Sequence, residues 1–261
     1  MEMSKIVAVH SYKGGTGKTL LSVNLAATFA KHGKKVCLFD LDFRAPSLFA
    51  ILNVNNAEFW LNDYLNGKCD INKVIVDLSN NIGGTGNLFA ALANPSTEAI
   101  REMSAKDRKW EMRALGRLLS LRNTLLNDQE FDYLVFDTSP GLQYSSINAI
   151  VTADFVVVAT TGDRSDVDGT RRMLRELYNL FEKKTGLVMN KVLDPTSKSK
   201  RDEMEKRVKN VYQVPMLGLV PCFCEILRAE GNLIFVQDKP NHPFTKILDE
   251  MARKIENNEV N

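Results

Sequence analysis

Residues 11–19 read Ser-Tyr-Lys-Gly-Gly-Thr-Gly-Lys-Thr, and this stretch decides the fold. It follows an apolar run at 6–10 and precedes a helical pattern that extends to His32 and stops at Gly33. Glycines in such a loop let backbone N–H groups close around phosphates, and the next helix points its positive N-terminus at them. The spacing therefore predicts a strand, a phosphate-binding loop and a helix.

The loop departs from the usual phosphate-loop pattern at one position, because Tyr12 stands where the first glycine is expected. Lys18 supplies a positive charge for the phosphates, and the Thr19 hydroxyl is placed to bind Mg²⁺. The residues expected to contact a bound nucleotide in this loop are Gly14, Gly15, Thr16, Gly17, Lys18, Thr19 and Leu20.

Short apolar runs alternate with helical periodicity along the chain. Continuous rather than alternating apolar runs indicate strands that are covered on both faces, as in parallel α/β sheets. We expect one doubly wound, mostly parallel sheet flanked by helices, the P-loop NTPase fold, in a single domain over residues 1–261. Strands are predicted at 6–10, 36–39, 87–91, 133–136, 155–159, 186–189 and 216–220, and helices at 18–32, 96–127 (one or two), 169–184 and 243–256.

Composition says more about the cellular location of the chain than about its function. The net charge is only +2, so overall charge favours neither a nucleic-acid partner nor an acidic one. Four cysteines in 261 residues do not form the disulfide framework of a small secreted domain. The N-terminus leaves no room for a signal peptide, and no apolar run has membrane-spanning length. A cytoplasmic location is expected.

The segment from Lys13 to Thr19 resembles the deviant Walker A loop of the MinD/ParA class of P-loop ATPases, and is nearest in character to archaeal MinD-like proteins. In that family the first lysine reaches across a dimer that sandwiches two nucleotides. The resemblance implies a homodimer with ATP at its interface, Mg²⁺ as the metal, and slow hydrolysis of ATP. Lys13 would then act on the phosphates of the second copy. Leu20 departs from the family, which usually has a second threonine near the α-phosphate.

Two further segments resemble the switches of this family. Residues 39–47 read Phe-Asp-Leu-Asp-Phe-Arg-Ala-Pro-Ser, and the resemblance implies that Asp42 orients the attacking water while Asp40 helps to fix the site. Residues 136–142 read Phe-Asp-Thr-Ser-Pro-Gly-Leu, with Asp137 in the magnesium shell and Gly141 responding to the γ-phosphate. The implied metal residues are Thr19, Asp42 and Asp137, partly through water.

Base recognition is also implied by the resemblance. Asn190 matches the asparagine that contacts adenine in the family, and Pro221 matches the start of the second loop beside the base. Pro46 and Ser47 differ from MinD proper and are closer to the Mrp and bacterial tyrosine-kinase branches, so the subfamily stays open.

The resemblance leaves open which molecule the ATPase acts on, and three interpretations remain. The first is spatial organisation, as in chromosome or plasmid partitioning or the positioning of cell division, through an unidentified protein partner. Non-specific DNA binding would need a basic cluster, and a solvated helix face is the alternative for mixed charge. The tail ends in acidic and polar residues, which gives no strong membrane-anchor signal. The candidate DNA-binding residues are Lys198, Lys200, Arg201, Lys206, Arg207 and Lys209.

The second reading is a metal-insertion or iron–sulfur carrier ATPase that uses Cys222 and Cys224, because two such pairs across a dimer axis would supply four thiolates. The third is a bacterial-type tyrosine kinase, which the absence of tyrosine after Tyr212 disfavours. Residues 96–127 form a candidate partner surface. In the alternative interpretation, Trp110, Met112, Leu115 and Leu119 are the buried stripe of a helix that covers the sheet.

Overall fold

The structure, a computed structural model, describes residues 4–54, 57–81, 85–178, 181–193, 198–229 and 234–260. Within these ranges the strands lie in one sheet of eight, in the order β3-β4-β2-β5-β1-β6-β7-β8. All neighbouring pairs are parallel except β3 and β4, which are antiparallel. The strands are β1 Lys5–His10, β2 Lys35–Leu41, β3 Ile75–Asp77, β4 Asn87–Ala91, β5 Tyr133–Thr138, β6 Phe155–Thr160, β7 Lys184–Val192 and β8 Met216–Pro221.

The helices cover both faces of this sheet. They are α1 Lys18–Lys31, α2 Leu48–Ile51, α3 Leu61–Leu65, α4 Thr97–Ser104, α5 Arg108–Leu121, α6 Tyr144–Thr152, α7 Arg164–Met173, α8 Lys198–Tyr212, α9 Cys224–Arg228, α10 Phe235–Asp238 and α11 Pro243–Glu256. Single 3₁₀ turns lie at Ile71–Lys73 and Ser79–Asn81, and π-helical turns continue α5 over Arg122–Asn127 and α7 over Leu174–Tyr178.

The two faces of the sheet support separate hydrophobic cores. In β1, Ile6 and Ala8 face the core formed with α5, α6 and α7, whereas Val7 and Val9 face the core formed with α1 and α11. Side chains alternate between faces along a strand, so a strand that is buried on both sides must be apolar throughout. The continuous apolar run at the start of the chain is explained by this arrangement.

The predicted fold class is confirmed, with several corrections to element bounds. The helix predicted at 169–184 begins earlier, at Arg164, because Asp163 caps it by accepting from the backbone N–H groups of Ser165 and Asp166. It gives way to β7 at Lys184, which is a strand residue. The short antiparallel β3 was not predicted. Its three residues are too few to show a pattern.

Residues 96–127, predicted as one or two helices, form two, α4 and α5. Asp107 separates them because its carboxylate accepts from the N–H of Trp110 at the start of α5. The predicted buried stripe was partly wrong: Trp110 is buried, but Met112 and Leu119 are exposed. The buried stripe of α5 consists of Trp110, Ala114, Leu118 and Leu121.

The predicted tail helix is confirmed at Pro243–Glu256, and it packs on α1 and β8. Its C-terminus is held by the buried Lys5, whose ammonium donates to the carbonyl of Ile255 at 2.5 Å. Among the helices of the described ranges, none has both the length and the apolar character that crossing a bilayer requires.

Candidate functional site

The predicted site residues meet at the carboxyl edge of the sheet. The phosphate loop, defined as residues 11–17, follows β1, and β1 lies between β5 and β6. Asp40 of β2 is paired in register with Asp137 of β5, and Val9 of β1 is paired with Asp137 on its other side. Ligands of open parallel sheets bind in this position, outside the carboxyl ends of the strands.

Two glycines give the phosphate loop its shape. Gly15 and Gly17 have φ values of 76° and 92°, in the left-handed region that other residues rarely adopt. A Cβ atom on Gly17 would lie 2.3 Å from Nδ2 of Asn190. Because α1 begins at Lys18, directly after this turn, the N–H groups of its first residues point into the loop.

A buried carboxylate lies directly beneath the loop. Asp137 is 1% exposed, and its Oδ1 accepts a hydrogen bond of 2.9 Å from Oγ of Ser22 on α1. Burial raises the pKa of Asp137 to about 6, although hydrogen bonds from Thr19 and Ser22 and the charge of Lys18 lower it. Thr19 and Asp137 are therefore adjacent, as a shared magnesium site requires.

Lys18 is buried at the start of α1, with 7% of its surface exposed. Burial lowers the pKa of its ammonium, while the nearby carboxylates of Asp137 and Asp42 raise it. A cation in this position is poorly solvated and lies beside the positive end of a helix. A polyanion such as a triphosphate would relieve both disadvantages.

The first switch is tied to the second by a hydrogen bond. Oγ of Ser139 donates to Oδ1 of Asp42 at 2.9 Å, and the same oxygen accepts from the N–H of Ala45 at 3.3 Å. Asp40 lies inside β2 and braces the turn, because its carboxylate accepts from the N–H groups of Asp42 and Leu48. Burial, with repulsion from Asp137, raises the pKa of Asp40 well above its ordinary value.

The second switch contacts the phosphate loop through its glycine. The N–H of Gly141 donates to the carbonyl of Ser11 at 2.9 Å, and the φ of Gly141 is 78°. Pro140 lies beside Gly14 of the loop. The segment 139–143 is thus in direct contact with the phosphate loop.

Lys13 lies at the surface, and its ammonium contacts the start of α7. Nζ lies 3.1 Å from Oδ1 of Asp163 and also donates to Oγ of Ser165. Both charged side chains are about half exposed, at 44% and 61%. Hydrogen bonds from Ser165 and Lys13 hold the pKa of Asp163 well below its usual range. Within one copy, Lys13 is bound to a neighbouring helix.

Asn190 lies inside β7 rather than after it, and it is 5% exposed. Its Nδ2 donates to the carbonyl of Thr16 at 2.7 Å, and its Oδ1 accepts from the N–H of Lys191. The ammonium of Lys191 donates to the carbonyl of Gly15. Pro221 ends the neighbouring strand β8. The structure brings Asn190 against the loop, with its amide already engaged.

The residues named for the other readings come after β7 in the chain, in α8 and directly after β8. Cys222 and Cys224 are exposed free thiols, and the described residues contain no group of three or more His, Cys, Asp or Glu side chains that could hold a metal ion. Four residues of the basic cluster, Arg201, Lys206, Arg207 and Lys209, are exposed on α8. The side chains of Lys198 and Lys200 lie outside the described part of the chain.

Sequence reasoning missed several residues that hold the site together. Asp163, Ser165 and Lys191 contact Lys13 or the loop, but they are more than 140 positions distant in the sequence. Ser22 was missed because a serine one turn into a helix carries no motif of its own. The Asp-Arg-Ser-Asp stretch at 163–166 did offer a signal, since it is a helix-capping pattern directly after a strand.

The site fits a magnesium-bound nucleoside triphosphate. Oγ1 of Thr16 is buried without a hydrogen-bond partner among the described residues, so this hydroxyl can form a hydrogen bond with a ligand in the loop. Lys18 supplies a poorly solvated cation, and the Thr19 hydroxyl lies beside the Asp137 carboxylate. Oxygen ligands of this kind suit Mg²⁺ when phosphates complete its shell.

Known proteins share both the sequence pattern and the fold. A family model described as an AAA domain matches residues 4–194. The septum site-determining protein MinD of Thermotoga maritima is 26% identical over 256 residues, which covers 97% of this chain and 88% of that protein.

Two solved structures have the same fold. MinD of Pyrococcus horikoshii, complexed with Mg-ADP, superposes with a TM-score of 0.76 at 22% identity and covers 97% of this chain and 96% of that one. A plasmid partition protein of Borrelia burgdorferi gives a TM-score of 0.69 at 20% identity, with coverage of 98% and 99%. The chain therefore belongs to the AAA-domain family and is a P-loop ATPase of the MinD/ParA type, a class whose cofactors are ATP and Mg²⁺.

Proposed function

We propose that this ATPase is a dimeric switch: two copies close around ATP, and hydrolysis releases them and a bound partner. The observation that carries the proposal is the position of Lys13. Its ammonium lies at the surface beside the loop, and among the described residues it is held by the exposed groups of Asp163 and Ser165. Such a contact exchanges readily, because exposed ion pairs in water are weak.

The residues of one copy divide the work. The N–H groups of the loop and Lys18 bind the phosphates, and Thr19 with Asp137 holds the metal shell. Asp42 lies at the outer rim of this cluster, where it orients a water for attack on the γ-phosphate. Bound Mg²⁺ neutralises charge on the phosphates. Lys13 of the second copy adds a positive charge from outside, as an arginine finger does.

Base binding and domain organisation belong to the same proposal. Asn190 lies in β7 against the loop, and Pro221 ends the neighbouring strand β8, which supports contact of both residues with adenine. One sheet draws strands from residue 5 to residue 221, and the tail helix packs on α1. These contacts support a single functional domain over residues 1–261.

The partner belongs to spatial organisation in this proposal, such as division-site positioning or DNA partitioning, in the cytoplasm. The named functions of the Thermotoga and Borrelia proteins support that class. The exposed surface of α8 carries four basic residues beside three acidic ones, and the basic ones support non-specific DNA as one partner. Retention of the chain on duplex DNA should then fall steeply between 50 and 200 mM salt, by about 10³-fold if six phosphates are contacted.

Mixing two inactive variants tests the dimer. Lys13→Ala and Asp42→Ala should each lose ATP hydrolysis when assayed alone. An equal mixture should recover roughly a quarter of the wild-type rate, because about half the dimers are mixed and each mixed dimer holds one complete site. Lys68→Ala, which removes an exposed lysine that pairs with Asp63, is the matched control and should hydrolyse normally.

If Lys13 acts only within its own copy, no mixed dimer has a complete site and the mixture stays inactive. That result, or full activity of Lys13→Ala alone, would remove the sandwich dimer from the proposal. Sedimentation velocity on the same samples reports whether dimers form with ATP.

A further inference from the structure

A groove of about 440 Å³ opens between the two switches and the α4–α5 pair. We call it the switch groove and define it by six of its lining residues. Phe43 and Arg44 come from the first switch, Leu142 ends the second switch and Tyr144 begins α6. Lys106 lies in the turn between α4 and α5, and Trp110 lies in α5. Both walls that belong to the switches are therefore within a few residues of Asp42 or Gly141.

The groove combines a mainly polar lining with one buried aromatic ring and an exposed apolar rim. Trp110 is 7% exposed, and its indole N–H already donates to Oδ1 of Asn66 at 2.8 Å, so the ring offers only apolar surface. Leu142 and Tyr144 are 51% and 59% exposed. Large apolar side chains around a concave surface are typical of sites that bind another protein segment.

The charge around the groove is positive. The exposed Arg44 has no ion pair among the residues that the structure describes, whereas the carboxylate of Glu111 accepts from Asn148 and burial raises its pKa. Lys106 pairs with Glu102 and lies 5.5 Å from the centre of the Trp110 ring. Among the charged side chains that line the groove, Arg44 and Lys106 are basic and Glu111 is acidic.

We propose that the switch groove binds an acidic peptide segment of a partner protein. Its apolar side chains pack against Leu142, Tyr144 and Trp110, and its carboxylates lie near Arg44 and Lys106. A second copy of this chain is a poorer occupant, because a two-fold contact through the groove would set the same basic surfaces against each other.

The position of the groove couples this partner to the nucleotide, a step that rests on the proposed function. Arg44 is two residues from Asp42, and Asp42 is hydrogen-bonded to Ser139 at the start of the second switch. A peptide that contacts Arg44 and Tyr144 together therefore favours one arrangement of the two switches. Its affinity should change with the nucleotide bound.

Selection from a phage-displayed library of random 16-residue peptides tests the inference on the full chain with Mg²⁺ and the non-hydrolysable analogue AMP-PNP. The enriched peptides should be acidic with spaced apolar residues. Affinities of the synthesised peptides are then measured by fluorescence anisotropy. Tyr144→Ala and Arg44→Glu should each weaken them about tenfold, and both change exposed side chains that folding tolerates. Arg172→Glu, an exposed cation on α7, should change affinity less than about twofold.

Several results would overturn the docking site. These are enrichment of basic peptides, no enriched consensus, or affinities that neither groove variant alters. The groove would instead be assigned to a second copy if two results came together: no peptide is enriched, and sedimentation shows that Tyr144→Ala no longer dimerises with AMP-PNP. Without nucleotide the affinity should fall at least about fivefold. Equal affinity in both states would overturn the coupling to nucleotide, while groove variants that still weaken the peptide would uphold the site.

Discussion

The two ends of helix α1 are electrostatic opposites. At its N-terminus, burial disfavours the charged forms: it lowers the pKa of Lys18 and raises that of Asp137. At its C-terminus, His32 lies between two carboxylates of α11, with Nε2 2.7 Å from Asp249 and Nδ1 3.0 Å from Glu256. The charged groups at the C-terminus pair with one another, whereas burial disfavours the charges at the N-terminus, which a bound phosphate would stabilise.

This difference separates function from stability along one helix. Both ring nitrogens of His32 can donate to carboxylates only when the ring is protonated, so the geometry itself requires an imidazolium. A cation also suits the negative end of the helix dipole. The C-terminal end therefore fastens α1 to the tail helix and stabilises the fold. The buried charges at the N-terminal end are electrostatically unfavourable until phosphates bind.

The largest expected effect is at the N-terminal end. Lys18→Met should lower ATP hydrolysis by about 100-fold or more, because the phosphates lose a poorly solvated cation. The free energy of unfolding without nucleotide should stay the same or rise, since a buried charge is removed. Steady-state phosphate release and urea unfolding measure the two quantities, and Lys68→Met is the control for the loss of a lysine. A large loss of stability without nucleotide would contradict the assignment of the N-terminal end of α1 to ligand binding rather than to stability.

The shape of the loop provides the second prediction. Gly17→Ala should destabilise the chain by about 2 kcal/mol, because alanine is strained at a φ of 92° and its Cβ would displace Asn190 from the loop. Gly116→Ala is the matched control, since nothing lies within 4 Å of a Cβ added at that helical position. It should stabilise by about 0.5–1 kcal/mol. Urea unfolding measures the free energy of unfolding of both variants, and equal changes in it would contradict the role given to Gly17.

The C-terminal end predicts a dependence on pH. The hydrogen bond that His32 donates to Glu256, followed by the one that it donates to Asp249, raises the pKa of His32 above its ordinary value of 6.5 in the folded state. The stabilisation is therefore complete below pH 6.5 and is lost as the pH rises through the folded pKa. His32→Gln should remove this loss, which we expect to be about 1 kcal/mol.

The control for that measurement is His242→Gln. Burial lowers the pKa of His242, so its titration acts below pH 6.5 and in the opposite direction. This variant should keep the loss of stability above pH 6.5, measured by urea unfolding from pH 6 to 9. A pH profile of His32→Gln identical to that of the unmodified chain would mean that His32 does not fasten the helix.

The smallest expected effect concerns Lys13, beside the N-terminal end. Asp163→Ser removes the charge that holds Lys13 but keeps a side-chain oxygen to cap α7. The ATP-dependent dimer should then form about two- to threefold more tightly, because exposed ion pairs compete only weakly. Sedimentation equilibrium with AMP-PNP measures this change, and Asp168→Ser, further along α7, should leave it unaltered. A weaker dimer in Asp163→Ser would show that Asp163 serves the dimer rather than the single copy.

Local patterns predicted the framework of the site but not its contacts. The loop and the positions of the strands along the chain follow from glycines, a lysine–threonine pair and apolar runs, all of which are short-range signals. Asp137 was predicted from the resemblance of residues 136–142 to a switch of the family. The partners of Lys13 and the loop could not be predicted, because Asp163 and Lys191 come close only when β6 and β7 take their places beside β1. Asn190 was placed after its strand, but β7 continues past it through an irregularity between Met189 and Val192.

The place of β1 in the sheet has a consequence for folding on the ribosome. The strand that carries the phosphate loop is made well before its neighbours, which are residues 133–137 and 155–158. Pairing across such sequence separations is slow and cannot begin until those residues have been synthesised. Until residue 160 or so has left the exit tunnel, the nascent N-terminus has no completed nucleotide site, and its apolar strand is an edge for chaperones to cover.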